Sequence, residues 1–312
     1  MNAPDPNDLP LPELARRVLE HPSTARLLEA AREEDLGAGG DVTSASVIDP
    51  GLHGRAAIVA REPGVIAGLA FVPAVLEAFG TSVAMHAERA DGDRCDRGDR
   101  LAVLEGPVVD LLTVERTVLN LLGQLSGVAT ATHAHAQLLV GTSAVVCETR
   151  KTVPGMRRMQ KYAVRCGGGH LHREGLHDAA LYKDNHLAAL GPGPLDRTLR
   201  RALERVRAGS PLRFVMVEVD TLEQFDELLR LEESLVDIVL LDNMPPPMLQ
   251  QAVAMRDERR PRWRLEASGG ITREAIAAIA AAGVDRISIG GLTHSVRCLD
   301  VGLDALPAEP GS

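Results

Sequence analysis

The chain has 312 residues, enough for two domains or for one α/β barrel with an added module, and 45% of them are hydrophobic, an ordinary globular share. Its net charge of −9 argues against a nucleic-acid partner. No stretch offers the roughly 20 unbroken apolar residues that a membrane-spanning helix needs. Aromatics are 2% of the residues, so the core is expected to be aliphatic.

Residues 1–35 are polar and proline-rich at first, then helical, with Leu14, Val18 and Leu19 on one face and Ala25, Leu28 and Ala31 recurring similarly. Residues 39–44 read as a loop. Residues 55–61 read as a strand with 64–69 as its hairpin partner, 71–79 as a helix and 82–89 as a strand. Turn signals at Asp91-Gly92-Asp93 and Arg97-Gly98-Asp99 precede a strand at 101–104. This half is a small α+β module. A long helix over about 110–140 follows, with apolar positions at Leu111, Val118, Leu122 and Leu125.

From Thr142 the rhythm becomes strand and helix in alternation. Strands are expected at 144–148, 180–183, 213–219, 237–241, 263–267 and 286–289, and helices at 221–231, 246–255 and 272–282. Thr221 with Gln224 makes a capping box, and Thr272 is placed to cap its helix. Such alternation gives a parallel sheet covered by helices. No GxGxxG follows the first strand, which disfavours a dinucleotide fold. Nearly every strand ends in a polar or reactive residue: Glu148 and Arg150, Lys183, Glu218 and Asp220, Asp242, Ser268, then Gly290. Function at all the C-terminal strand ends is the habit of a barrel, here with about six strands rather than eight.

Four cysteines, Cys95, Cys147, Cys166 and Cys298, have no CxxC spacing and form neither a zinc knuckle nor a redox pair. Reduced thiols fit a reducing compartment. Residues 1–12 carry no basic stretch followed by an apolar run, so a cytoplasmic enzyme is expected.

The chain contains only three lysines, Lys151, Lys161 and Lys183; every other cationic side chain is arginine. A compact ammonium is not mimicked by a guanidinium, so lysines that survive such a bias mark chemistry. Lys151 and Lys161 lie in a basic island, residues 148–175, with Arg150, Arg157, Arg158, Arg165, His170, His172 and Arg173. A solvated basic face is the plain alternative. Gly167-Gly168-Gly169 within the island favours close approach to a ligand, and arginine forks suit carboxylates. Lys183 closes an apolar strand and points to an anion or to a Schiff-base role. Glu218 and Asp242 end consecutive strands and fit Mg²⁺ beside phosphate oxygens; pairing of one of them with Lys183 is the alternative. Ser268-Gly269-Gly270 and Gly290-Gly291 each lead from a strand toward a helix, as a phosphate cradle would. A phosphorylated sugar with several anionic groups fits the set.

At these residues the chain resembles the quinolinate phosphoribosyltransferases, the carboxylating nicotinate-nucleotide pyrophosphorylases. The matching segments are GDVT at 40–43, ERTVLNLLGQLSGVAT at 115–130, TRKTVPG at 149–155, QKYAVRCGGG at 160–169, KDNH at 183–186, EVD at 218–220, LLDN at 240–243 and SGGI at 268–271. The resemblance runs from about Glu34 to the C-terminus. It implies an N-terminal α/β open-face sandwich, residues 1–116 joined by the tail 295–312, and an incomplete parallel α/β barrel over 117–294. It implies a homodimer whose active sites lie at the subunit interface. The implied reaction joins quinolinate to phosphoribosyl pyrophosphate with Mg²⁺ and yields nicotinate mononucleotide, pyrophosphate and CO₂ in de novo NAD synthesis. By resemblance Arg150, His172 and Arg173 hold the quinolinate carboxylates, and Arg116 reaches the partner subunit's site. Lys151 and Lys183 contact carboxylate or pyrophosphate oxygens, and Glu218 and Asp242 serve Mg²⁺ and the ribosyl cation. Ser268, Gly269, Gly270, Gly290 and Gly291 cradle the 5′-phosphate with His294 nearby. The family commonly has Asn where this chain has Leu171, which removes one support for His172. Without the resemblance, the same residues also suit a paralogous phosphoribosyltransferase for another carboxylated heterocycle, a Schiff-base aldolase using Lys183, or a non-catalytic barrel that binds a phosphorylated ligand.

Overall fold

The computed structural model describes residues 4–191, 193–209 and 211–307. Residues 308–312 of the expected C-terminal tail lie outside these. In chain order the strands are β1 (His53–Ala60), β2 (Gly64–Val65), β3 (Ala84–Ala87), β4 (Arg94–Cys95), β5 (Arg100–Pro107), β6 (Val145–Cys147), β7 (Ala180–Tyr182), β8 (Val215–Val219), β9 (Ile238–Asp242), β10 (Arg264–Ser268), β11 (Arg286–Ser288) and β12 (Val301–Leu306). The chain divides into two compact units. One unit takes residues 6–133, 152–168 and the chain from 292 onward; the other takes 134–151 and 169–291 with the first few residues.

The first unit is built on an antiparallel sheet in the order β12-β1-β5-β3. Its central strand β1 ends in a fully apolar run, Ala56–Ala60, buried on both faces. The expected 64–69 hairpin partner is a two-residue strand, β2, which pairs with β4. It is excluded from β1 because longer partners, β5 and β12, occupy both of that strand's edges. The loop expected at 39–44 contains a helix start: Asp41 Oδ1 accepts from Thr43 N–H at 3.1 Å and Ser44 N–H at 3.0 Å, capping helix Val42–Val47.

Helix Val108–Ala136 runs through this unit with a long buried stripe from Leu111 to Thr132. Small residues on it let other backbone come close. Ser126 Oγ accepts from Ala67 N–H at 3.0 Å, and the carbonyl of Gly123 accepts from Leu299 N–H at 2.9 Å. A Cβ on Gly127 would lie 2.3 Å from the Arg297 carbonyl oxygen. Segment 297–299 therefore crosses the helix at a distance only glycine permits, and β12 follows into the sheet.

The second unit is a six-stranded, wholly parallel sheet in the order β6-β11-β10-β9-β8-β7. The six expected strands are these six. Parallel strands need both faces covered, and β8 reads buried at all five positions. Helices Leu195–Ala208, Leu222–Leu228, Pro246–Arg259 and Ile276–Ala281 alternate with the strands. Thr221 Oγ1 caps its helix by accepting from Gln224 N–H at 3.2 Å. Thr272 does not cap: residues 272–275 form a turn, closed by Ala275 N–H to the Thr272 carbonyl at 3.1 Å, before the next helix begins at Ile276.

Beyond β6, His170 bridges Cys147 in parallel, and His170 N–H donates to the Val146 carbonyl at 2.8 Å. On the other side Arg173 Nη1 donates to the Ala179 carbonyl at 3.3 Å, just before β7. Residues 170–173 thus lie between the first and last strands, as a short irregular stave of an incomplete barrel. One end of the interior is apolar, with Ala179, Phe214, Met216, Ile238 and Leu240 packed together against Leu181.

Glycine-to-alanine changes inside helices ordinarily stabilise by about 1 kcal/mol. For Gly127→Ala the clash reverses the sign, and overpacking costs on the order of 1–3 kcal/mol. A thermal melt followed by circular dichroism should show a lower Tm for this variant, not a higher one.

Candidate active site

Strand register gathers the expected residues. Glu218 on β8 aligns with Leu240 on β9, and Ser268 on β10 with Asp242 at the end of β9. The strand period of two then puts Leu240, Asp242, Glu266, Ser268 and Glu218 on one face, the interior one. Lys183, directly after β7, reaches the same rim: its Nζ lies 3.2 Å from Glu218 Oε2. The lysine therefore pairs with Glu218, not with its neighbour Asp184.

The two rim carboxylates are uncomfortable as anions. Burial raises the pKa of Glu218; Lys183 opposes that shift, and the negative Asp242 adds to it. Burial also raises Asp242, followed by the charge of Asp220. Asn243 Nδ2 donates to Asp242 Oδ2 at 2.6 Å. Asn243 sits at φ 54°, a left-handed conformation that asparagine tolerates, and its N–H donates to the Ser268 carbonyl at 2.9 Å. A Cβ on Gly269 would lie 2.2 Å from Asn243 Oδ1, so this glycine is required by close packing at the rim. Gly270 follows at φ 50°, exposed and with open space where a Cβ would stand. Gly290 comes two residues after β11, and Gly291 begins the short helix Gly291–His294.

After β6 the chain enters Glu148, Thr149, Arg150 and Lys151. Glu148 is buried, and its Oε1 accepts from the backbone N–H of His172 at 2.8 Å, which makes it a brace. Lys151 is exposed, its backbone N–H donating to Thr149 Oγ1 at 3.0 Å. Arg173 is buried, and its pKa is depressed, first by burial and then by the charge of Arg150. The Nε atoms of both arginines are buried and make no hydrogen bond. Two guanidiniums close enough to repel, with buried donors unused, form a site for an anion.

His172 is placed differently from a simple ligand. Its ring is buried edge-on to Phe214, with centroids 5.3 Å apart. Nδ1 accepts from Arg173 N–H at 2.8 Å, and Nε2 faces Glu266 at 3.4 Å. Leu171 is buried too, and His172 is held by contacts with Glu148, Phe214 and Glu266.

The basic island is divided between the two units. Lys161, Arg157, Arg158 and Arg165 belong to helix Arg157–Cys166 of the first unit, where Lys161 is 2% exposed rather than solvated. Of the three island glycines, Gly167 is a packing residue: a Cβ there would lie 2.3 Å from the Ala129 carbonyl oxygen. Arg116 and His294 also belong to the first unit. Arg116 is exposed and lines a cavity of about 710 Å³ with Asn120, Gln124 and Asp300. His294 is exposed, with Nδ1 2.6 Å from Ser295 Oγ.

Sequence reasoning passed over Glu266 and Arg286, which are buried in the barrel and joined at 2.6 Å, and Asn243. The available signals were single charged residues inside otherwise apolar strands and an Asp-Asn pair at a strand end.

The family model described as quinolinate phosphoribosyl transferase, N-terminal domain, matches residues 41–126, and that of the C-terminal domain matches 128–304. The nicotinate-nucleotide pyrophosphorylase [carboxylating] of Mycobacterium leprae is 46% identical over 279 residues, covering 89% of this chain and 95% of that protein. A probable nicotinate-nucleotide pyrophosphorylase [carboxylating] of Bacillus subtilis is 37% identical over 287 residues, covering 92% and 94%. The solved nicotinate-nucleotide pyrophosphorylase of Francisella tularensis superposes with a TM-score of 0.81 at 32% identity, covering 98% of this chain and all of that one. With its interior arginines, rim carboxylates and lysine at the barrel's C-terminal edge, the chain belongs to the quinolinate phosphoribosyl transferase family.

Proposed function

We propose that this chain transfers the phosphoribosyl group from phosphoribosyl pyrophosphate to quinolinate with loss of CO₂, giving nicotinate mononucleotide and pyrophosphate for NAD biosynthesis. The observation that carries the reading is the pair of buried Nε donors on Arg150 and Arg173 that make no hydrogen bond, with the charge of Arg150 acting on Arg173. A planar dicarboxylate neutralises that pair and satisfies the unused Nε donors.

The residues divide the work. Arg150 and Arg173 orient quinolinate, and His172 shapes the backbone that carries Arg173. Lys151 and Lys183 meet carboxylate or pyrophosphate oxygens. The C1′–oxygen bond breaks with its electron pair leaving on pyrophosphate, and positive charge develops on C1′. Glu218 and Asp242 face that charge and stabilise it. The ring nitrogen lone pair then forms the bond to C1′, and the nitrogen becomes cationic. The bond from C2 to its carboxylate breaks next; the electron pair stays on C2 beside the cationic nitrogen, CO₂ departs, and C2 takes a proton from solvent. Ser268, Gly269, Gly270, Gly290 and Gly291 hold the 5′-phosphate by backbone N–H groups, with His294 as a further contact.

The rim suits Mg²⁺. Among the described residues no group of three or more His, Cys, Asp or Glu could form a metal cage. Two partly buried carboxylates that resist ionising, Glu218 and Asp242, gain from a cation, and Mg²⁺ takes one or two carboxylates with substrate oxygens. When bound it would offset the charge of the departing pyrophosphate.

The enzyme is proposed to act as a homodimer in which Arg116 of one subunit completes the site of the other. Exposure of Arg116 beside an open cavity supports that reading. A cytoplasmic location is supported by four cysteines in no disulfide, three of them buried. No described helix is long and apolar enough to cross a membrane.

Quinolinate labelled in its 2-carboxylate should release labelled CO₂ only when phosphoribosyl pyrophosphate and Mg²⁺ are present, and nicotinate should not be consumed. Turnover of another base without CO₂ release would overturn the assignment. Glu218→Gln should separate stability from activity. Its folded pKa is raised, so the protonated form is favoured by folding; that contribution is present at low pH and lost as pH rises through the folded value. The ligand-free variant should therefore melt above wild type at pH 8, with the gap closing toward pH 4, while turnover falls by roughly 10²-fold or more. Mixing inactive Arg116→Ala and Glu218→Gln subunits under exchange conditions should restore part of the activity, because one site of each hybrid is intact. No recovery in a proven hybrid would place each site within one subunit.

A further inference from the structure

Glu266 lies in the middle of β10 and is wholly buried. A carboxylate inside a barrel costs stability unless it is paired, and a well-packed apolar residue would often serve the fold as well. Its register partner on β11 is Arg286, whose Nε donates to Glu266 Oε2 at 2.6 Å. That contact holds one oxygen. The other, Oε1, makes no hydrogen bond and faces His172 Nε2 at 3.4 Å, a close electrostatic contact.

The imidazole is constrained from its far side too. Nδ1 accepts the backbone N–H of Arg173 at 2.8 Å, so it carries no proton, and the ring proton sits on Nε2, toward Glu266. The backbone around the ring is braced: Glu148 Oε1 takes the His172 N–H at 2.8 Å, and Arg213 Nη1 donates to the His172 carbonyl at 3.3 Å. A line of contacts therefore runs from Arg286 through Glu266 and His172 to the peptide that carries the Arg173 side chain.

We infer that Glu266 is a positioning residue for the dicarboxylate substrate: through Nε2 it holds His172 in the tautomer and orientation that fix the Arg173 backbone and aim its guanidinium. The inference rests on the reading that Arg173 takes a quinolinate carboxylate. The charge state of Glu266 agrees with the geometry. Burial pushes its pKa up, but His172 and Arg286 outweigh burial and hold it below the usual carboxylate range, so the anion persists at neutral pH.

The test compares Glu266→Gln with Arg173→Ala in the full-length enzyme. Glutamine keeps the shape and an acceptor for Arg286 but can turn its amide toward the imidazole and lose the anion. Glu266→Gln should raise KM for quinolinate by about ten- to hundredfold, as small misplacements of a binding group do, while KM for phosphoribosyl pyrophosphate stays within about twofold. Unchanged quinolinate KM in folded variant, or equal loss for both substrates in step with lost folded protein, overturns the proposal. Arg173→Ala separates the two levels. If it leaves quinolinate KM unchanged, the reading of the site fails and the inference with it; if it raises KM and Glu266→Gln does not, the inference alone fails. A measurement on the wild-type enzyme covers the case in which Glu266→Gln does not fold. With ¹⁵N-labelled histidine, and His172 assigned by comparison with His172→Gln, the ring should carry its proton on Nε2 with Nδ1 as acceptor. A proton on Nδ1 overturns the proposal.

Discussion

A parallel sheet must bury both of its faces, and in this protein one of those faces carries charge. Every strand from β6 to β11 pairs in parallel, so its interior side chains have no water to fall back on. Each charged residue there is either paired or set at the rim. Glu266 and Arg286 pair in register. Glu148 is spent on the backbone of His172. Glu218 and Asp242 stand at the strand ends, where a lysine and incoming ligands can answer them. The division between interior braces and rim chemistry follows from this constraint.

The rim works because its electrostatics are left incomplete. Burial and the negative Asp242 raise the cost of ionising Glu218, burial and Asp220 raise that of Asp242, and Lys183 offsets part of each. Arg150 and Arg173 repel each other. Anionic and cationic groups that are each under-compensated are paid for by the rest of the fold. Groups left in this state can meet ligand charges at little reorganisation cost.

Glycine has two separate uses here, and spacing alone does not tell them apart. Gly127 and Gly167 admit a neighbouring carbonyl at a distance no Cβ allows. Gly269 makes room for Asn243, whereas Gly270 has open space beside it. A run such as Gly167-Gly168-Gly169 in a basic stretch invites a ligand-binding interpretation, and helix packing accounts for the first of the three. The charge island had a similar fate. Its helix, Arg157–Cys166, has buried Met159, Tyr162, Ala163 and Cys166 at helical spacing, a pattern hidden in the sequence by the surrounding arginines.

The sequence by itself determined the alternation of strands and helices, because both-face burial leaves continuous apolar runs, and it marked the rim, because polar residues close those runs. Lys183, Glu218, Asp242 and Ser268 were legible for that reason. Pairing between distant segments was decided only in three dimensions. The choice of β12 and β5 over β2 as partners of β1 depends in part on a strand about 240 residues further along the chain. The junction of Glu266 with Arg286 and His172 depends on a register between strands that no local pattern encodes. Local propensity sets what a segment can be; long-range burial sets what it touches.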